Sequence, residues 1–279
     1  MITVLVDDRV CYGSPALAIH GLSIHILADG LSLLLDVGPR FDVLKHNAGV
    51  VGIDLENVEM VALSHGHYDH VDALPELIEL ADPVIVAHPY ALRQQYIATG
   101  SGLKYVGPSR RVLETLKKAK VVATKRPLEI ARGIWFLGEI PRRYPWSAPW
   151  RSYVVHESGV EVHGFEDDTA LALRVDGYGT VVISGCSHSG AHNIARYASE
   201  VVGERVRMFV GGPHLVGYGA EEYRKVANAL RELGVERVVL CHCVEYEALK
   251  ELDRVLKIHY GCCGAVIEIE NGRVEIVRA

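Results

Sequence analysis

Apolar and polar positions along the chain change regime near its middle. Residues 16–36 hold two apolar runs, ALAIHGLSIHIL and LSLLLDVG, separated by Asp29-Gly30. An Asp-Gly pair between such runs predicts a β-hairpin. Val58–Ser64 is a short apolar run that ends at His65, and a helix is expected over 71–80, with Asp72 near its start. Residues 83–87 read as a strand ending at His88, followed by a helix over 89–96, and a further helix falls at 109–119. Residues 133–138, 170–175 and the fully apolar 180–184 read as strands. From there strand and helix alternate: helix 190–202, strand 206–210, helix 220–233, strand 236–240, helix 245–256. Strands 264–269 and 273–277 close the chain around a turn at Asn271-Gly272. Hairpins followed by strand–helix alternation predict mixed sheets with helices on their outer faces. Residues 139–169 break the pattern, with Pro and Gly breakers and little periodicity, and are expected to form a lid or substrate loop.

Two apolar strands run straight into histidine-bearing loops, VALSHGHYDH and VVISGCSHSG, as in a duplicated architecture. Histidine is the informative count, with 14 residues. His65-Gly66-His67-Tyr68-Asp69-His70 places four metal-capable side chains within six positions. Alternate residues of an extended segment point the same way, so His65 and His67 can share one ion. Asp69 and His70 turn into a helix start and can face a second. Imidazole nitrogen and carboxylate oxygen suit zinc, iron or manganese. A catalytic ion needs about three protein ligands, so four in one cluster point to two ions.

Composition narrows the classes. The chain has 279 residues, 49% hydrophobic and 23% charged, with a formal net charge of −6. This is the composition of an ordinary globular protein, and one domain over residues 1–279 is expected. No apolar run approaches the roughly 18 residues of a membrane span, and the start of the chain lacks a signal-peptide layout. A cytoplasmic protein with no membrane partner is therefore expected, and a homo-oligomer is open. Six cysteines, at 11, 186, 241, 243, 262 and 263, do not make a disulfide scaffold. The Cys262-Cys263 and Cys241-x-Cys243 pairs read as packing residues. Depletion of amides, two Gln and five Asn, is a feature of proteins from hot environments and keeps the disulfide question open.

His-x-His-x-Asp-His after an apolar strand, preceded by Ser64 and by Asp36 in LLLDVG, resembles the signature of the metallo-β-lactamase superfamily. The resemblance runs from the first hairpin to the last helix. It implies an α/β fold, an αββα sandwich of two mixed sheets flanked by helices, with the metal site at their shared edge. It also implies ligands from later strand ends, and His242 in VVLCHCVE matches the last metal histidine. The pattern departs from many members, which carry His-Thr and Gly-Asp where this chain has Asp168-Thr169 and Gly185-Cys186. His188, in SGCSHSG, is taken as the replacement ligand. Cys186 is a thiolate candidate that reads more readily as a buried structural cysteine, and Asp168 is the weaker ligand candidate. The implied assignment is His65, His67 and His188 on one ion, with Asp69, His70 and His242 on the other. The ions are two divalent cations, zinc first, with iron, manganese or magnesium as alternatives.

HGLS (20–23), VAHP (86–89), GEIPR (138–142), DDTAL (167–171), SGCSHSG (184–190), GGPHL (211–215) and CHC (241–243) follow in this order. Together they resemble the dihydropteroate-synthase-like branch of that superfamily, which includes a synthase of methanopterin biosynthesis and proteins known only as metal-dependent hydrolases. Asp69 and His214 are the candidate catalytic residues. Glu139, Arg142, His214 and His20 are the candidate substrate-binding residues, Arg142 because its guanidinium can bind phosphate bidentately. Residues 101–151 carry twelve Lys or Arg against three Glu, a field suited to steering a small anionic substrate. A net-negative chain without basic–aromatic interleaving is not expected to bind nucleic acid. The expectation is a two-metal enzyme acting on a small phosphorylated, pterin-type substrate. The alternatives are a metal-dependent phosphodiesterase or lactonase, and a non-catalytic metal-dependent binding protein.

Overall fold

The computed structural model describes residues 1–145, 151–156, 158–270 and 272–278. In chain order, β1 (Ile2–Val6) precedes the hairpin β2 (Ser23–Ala28) and β3 (Leu31–Leu35). Then come α1 (Phe41–Val50), β4 (Met60–Ala62), α2 (Tyr68–Val71), α3 (Leu74–Ala81) and β5 (Val84–Ala87). A second hairpin, β6 (Gln95–Thr99) and β7 (Gly102–Tyr105), leads to α4 (Arg110–Leu116), β8 (Val121–Ala123), β9 (Leu128–Ala131) and β10 (Ile134–Phe136). A third hairpin is β11 (Ser152–His156) with β12 (Gly159–His163), followed by β13 (Ala170–Val175) and β14 (Gly179–Ser184). The chain finishes with α5 (Ala191–Val202), β15 (Val206–Gly211), α6 (Ala220–Glu232), β16 (Arg237–Leu240), α7 (Tyr246–Asp253), β17 (Lys257–Tyr260), β18 (Ala265–Glu270) and β19 (Arg273–Arg278).

Two large sheets face each other. One has the order β19-β18-β1-β2-β3-β4-β5-β8 and the other β17-β16-β15-β14-β13-β10-β9. Both follow one plan, antiparallel at the hairpin side and parallel beyond β3 and beyond β14. The core between them takes Ile24, Leu33 and Val86 from the first sheet and Phe136, Val181 and Val210 from the second. Helices cover the outer faces, over separate cores built around Leu44, Leu74 and Leu77 on one side and Ile194, Phe209 and Leu230 on the other. This is the expected αββα sandwich. Parallel strands buried on both faces explain the unbroken apolar runs at 181–183 and 238–240. In α6 the buried Tyr223, Val226, Ala227 and Leu230 recur at the spacing of one helical face.

The turn of the first hairpin has positive φ at both Asp29 (49°) and Gly30 (86°), as a two-residue hairpin loop requires. Several boundaries differ from expectation. The strand expected from residue 16 begins only at Ser23, because Gly21 (φ 147°) lies against helix α2, where a Cβ would sit 2.3 Å from the Asp69 carbonyl oxygen. The helix expected at 71–80 is two, α2 and α3, with Pro75 in the first turn of α3. The helix expected over 89–96 is a single 3₁₀ turn, Pro89–Leu92, that gives way to β6. Residues 139–169 are not a structureless loop. They contain β11 and β12, which join β6 and β7 in a four-stranded sheet, β12-β11-β6-β7. Its pairing partner lies more than fifty residues upstream, so no local turn signal announced it. Residues 146–150 of the expected lid, and Asn271 of the final turn, lie outside the described residues. No helix among the described residues is long and apolar enough to cross a membrane.

The expectation of no disulfide scaffold, with Cys262 read as a packing residue, is corrected at one pair. Cys11 and Cys262 form a disulfide, 251 residues apart in sequence. The Cys11 and Cys263 backbones already meet, Cys11 N donating to Cys263 O (3.3 Å) and Cys263 N to Arg9 O (2.8 Å). Spacing carries no signal for so remote a pair. The bond closes nearly the whole chain into a loop, which on a chain-entropy estimate stabilises by about 5 kcal/mol, the typical measured value being about 2–4 kcal/mol. Reduction of the protein, or Cys262→Ser, is expected to lower Tm by several degrees in a thermal melt. An unchanged Tm would mean that the bond is not formed.

Candidate metal centre

The side chains singled out by sequence converge at the carboxyl ends of β3, β4, β14, β15 and β16, where open parallel sheets place their ligands. His65 and His67 follow β4, while Asp69 and His70 lie in α2. His188 follows β14, His214 follows β15 and His242 follows β16. The ligand atoms of His65, His67 and His188 lie within 4.8 Å of one another, and so do those of Asp69, His70 and His242. The sets touch, the ring centroids of His65 and His70 being 4.2 Å apart. The two groups of three expected from sequence are therefore assembled as two groups of three in space.

Carboxylates behind the imidazoles aim them. Asp36 Oδ2 accepts from His70 Nδ1 (2.7 Å) and from Ser64 Oγ (2.6 Å), and Asp36 Oδ1 accepts from Ser64 N (2.8 Å). Ser64 Oγ also lies 2.9 Å from His65 Nδ1. Asp8 Oδ1 accepts from His242 Nδ1 (2.8 Å), and Asp7 Oδ2 accepts from His242 N (2.7 Å). In each case Nδ1 is engaged and Nε2 is left toward the centre, the arrangement that fixes a metal-ligating tautomer. Asp167, fully buried, accepts from Gly66 N (2.9 Å), Gln95 Nε2 (2.7 Å) and His163 Nε2 (2.7 Å), and so holds the His65–His67 turn. Asp36, Ser187, His214 and His242 all have φ between 45° and 59°, a left-handed conformation rare for residues with a Cβ. Such strain gathers at functional sites because the surrounding structure holds it.

Burial lowers the pKa of His65 and of His188 well below the ordinary value, and nearby imidazoles push the same way, so both rings are neutral, the form that coordinates. Burial would raise the Asp69 carboxyl, but His70 and His242 outweigh it and hold the group ionised. Nε2 of His65 and Nε2 of His67 are buried with no hydrogen-bond partner. Buried polar atoms are seldom left so. In the first group the neutral rings of His65 and His67 present buried, unpartnered nitrogens beside His188; in the second the ionised Asp69 carboxylate lies 3.3 Å from His242 Nε2, which in the absence of a cation draws His242 toward its protonated form, and both donor sets are of the type that holds a divalent cation.

The remaining candidates take different places. His214 stands against the first group, its ring centroid 4.4 Å from that of His188. His20 sits at the rim with its side chain 62% exposed, Nε2 3.5 Å from Asp69 Oδ2 and Nδ1 3.4 Å from Asp8 Oδ2. Arg142 donates to the carbonyl oxygens of His188 (3.5 Å) and Gly164, so part of its guanidinium braces the His188 loop. Glu139 lies apart from both groups, 3.6 Å from His88 Nε2 and 3.9 Å from Lys125 Nζ. Asp168 accepts from His188 N (2.9 Å), Ser189 N (2.9 Å) and Ser189 Oγ (2.5 Å), which makes it a support of the His188 loop. Sequence reasoning missed Asp7, Asp8 and Asp167. An Asp-Asp pair directly after an apolar strand was the available signal for the first two.

Comparison with known proteins places the fold in a family. Residues 21–95 match the family model of the metallo-β-lactamase superfamily. The chain is 28% identical over 272 residues to an uncharacterized protein of Methanocaldococcus jannaschii, covering 96% of this chain and 100% of the other. It is 27% identical over 258 residues to the 7,8-dihydropterin-6-methyl-4-(β-D-ribofuranosyl)-aminobenzene-5′-phosphate synthase of the same organism, covering 88% and 87%. The crystal structure of Tm1679, a metal-dependent hydrolase of the β-lactamase superfamily, matches with a TM-score of 0.81 and 31% identity, over 100% of this chain and 99% of that one. With similarity of that extent over its whole length, the chain belongs to the metallo-β-lactamase superfamily, whose members are mostly metal-dependent hydrolases.

Replacing Asp36 by Asn keeps the shape and removes the charge that holds His70 Nδ1. Outer carboxylates of this kind are worth about 10–100-fold in metal affinity. Asp36→Asn is expected to lose metal affinity within that range, measured by competition with a chromophoric chelator, with an unchanged circular dichroism spectrum. Equal affinity would show that His70 is oriented without Asp36.

Proposed function

We propose that the chain is an enzyme that holds two divalent cations and acts on a small, phosphorylated substrate of the pterin type. The observation that carries this reading is the pair of buried donor groups, His65–His67–His188 and Asp69–His70–His242, meeting at one rim. The name of the synthase at 27% identity supports the substrate class. In the synthase reaction a methylene carbon–oxygen bond breaks, diphosphate leaves, an aminobenzene carbon or nitrogen takes its place, and one proton is released.

Divalent cations, when bound, supply Lewis-acid polarisation of phosphoryl oxygens and neutralise charge on a departing diphosphate. The chain's own residues do the rest. Asp69 is buried and ionised among imidazoles, which gives the rim one fixed negative charge. His214, pushed down to about 3 by burial, stays neutral and offers an uncharged ring beside His188 to a substrate oxygen. Arg142 holds the His188 loop and keeps its remaining N–H groups for an anion. The basic stretch 101–151 raises the local concentration of anionic ligands. A second reading, a hydrolase of phosphodiesters or lactones, is supported by the 31% identical structure described as a metal-dependent hydrolase.

Metal content by elemental mass spectrometry, on protein purified without chelator or nickel, is expected to be about two equivalents per chain. Turnover is then expected with a dihydropterin diphosphate and its aryl partner, and is expected to be lost in His65→Ala. Hydrolysis of phosphodiesters or lactones with no consumption of the pterin pair would favour the hydrolase. No metal after reconstitution would overturn the two-metal enzyme and leave a ligand-binding role.

A further inference from the structure

We propose that Cys186 is a thiolate ligand shared between the two donor groups, so that the centre takes borderline cations such as zinc or ferrous iron and rejects magnesium. The inference rests on the metal-binding reading above and adds a ligand to it. Cys186 Sγ lies 3.3 Å from His70 Nε2. The ligand atoms of His65, His70 and Cys186 fall within 4.8 Å of one another. His65 belongs to the first group and His70 to the second, so the sulfur stands where the groups meet. His65 Nε2, in a wholly buried side chain, has no hydrogen-bond partner and belongs to this same cluster.

The backbone delivers the sulfur to that point. Cys186 follows β14 after Gly185, where a Cβ would lie 2.0 Å from Ser64 Oγ and 3.1 Å from Asp36 Oδ2. Only glycine lets the end of β14 pack directly onto the Asp36–Ser64 pair that also orients His65 and His70. Behind Cys186 stands a second thiol. Cys243 Sγ lies 3.8 Å from the Cys186 carbonyl oxygen, and the ligand atoms of Cys186, Cys243 and His214 are within 4.8 Å of one another. A packing cysteine is surrounded by carbon. Cys186 instead faces imidazole nitrogens and another sulfur. Cys243, one layer back, is a positioning residue.

Charge and softness point the same way. Five imidazoles and the single carboxylate of Asp69 would leave three of the four positive charges of two divalent cations uncompensated. A thiolate lowers this to two, still attractive to a phosphorylated substrate but less costly to bury. Thiolate and imidazole suit zinc, ferrous iron and cobalt, whereas magnesium takes an octahedron of oxygens.

Cobalt(II) reports the ligand directly. The wild-type protein is expected to bind about two equivalents of cobalt and to show an intense near-ultraviolet thiolate-to-cobalt charge-transfer band. In Cys186→Ser the band is expected to vanish and cobalt affinity to fall about tenfold or more, while Cys243→Ser keeps the band. Wild-type protein that binds two cobalt ions without the band would overturn the inference and leave the metal centre standing. A band that survives in Cys186→Ser would also overturn it. Failure to bind cobalt at all would overturn the metal centre itself. Where Cys186→Ser does not fold, the wild-type spectrum decides, together with retention of zinc against a large excess of magnesium.

Discussion

The carboxylate of Asp36 ties together the strand ends on which the centre is built. It sits just past β3 with φ at 59°, and its two oxygens accept from the backbone and side chain of Ser64 and from His70. Ser64 lies just past β4 and His70 in α2, so one buried group sets the spacing between neighbouring strand ends and the helix beyond. The Ser64 side chain that it holds leaves no room for a side chain at Gly185, which brings the end of β14, from the opposite sheet, onto the same point. A buried carboxylate is costly unless fully hydrogen-bonded. Here it is satisfied only when β3, β4 and α2 are in register, so the requirement to pair it is also the requirement that assembles the site.

A comparable division of labour recurs around the other candidate ligands. Asp8 and Asp7 orient His242, Asp167 holds the turn between His65 and His67, and Asp168 holds the loop that presents His188. The centre is thus a layer of imidazoles supported by a layer of carboxylates. The loop after β1 that carries Asp7 and Asp8 is fastened near its middle by the Cys11–Cys262 disulfide. That bond joins this outer support to the segment between β17 and β18, near the far end of the chain. Stability of the fold and orientation of His242 therefore share a covalent link.

Much of the candidate site could be read in the sequence because its metal-capable side chains cluster. His65, His67, Asp69 and His70 lie within one turn after a strand, and local geometry alone separates them into two facing pairs. His188 and His242 were readable because each ends an apolar strand of the alternating half. Asp7, Asp8 and Asp167 were not, since an acidic residue beside a strand is ordinary at a surface and becomes a support only when a histidine far along the chain packs onto it. The hairpin β11–β12 escaped for a related reason, its partner being the distant hairpin β6–β7.

The sequence by itself determined the class of fold, the run of strands and helices in the second half, and the chemical nature of the centre. Periodicity, turn residues and ligand type are local properties, and the local chain expresses them. The tertiary structure alone decided which donors meet. It put the sulfur of Cys186 beside His70, turned Asp168 away from the centre toward the His188 backbone, and joined Cys11 to Cys262. Each of these is a contact between residues at least 20 positions apart. Such contacts are set by how two sheets pack and how a buried carboxylate is satisfied, and no spacing along the chain encodes them.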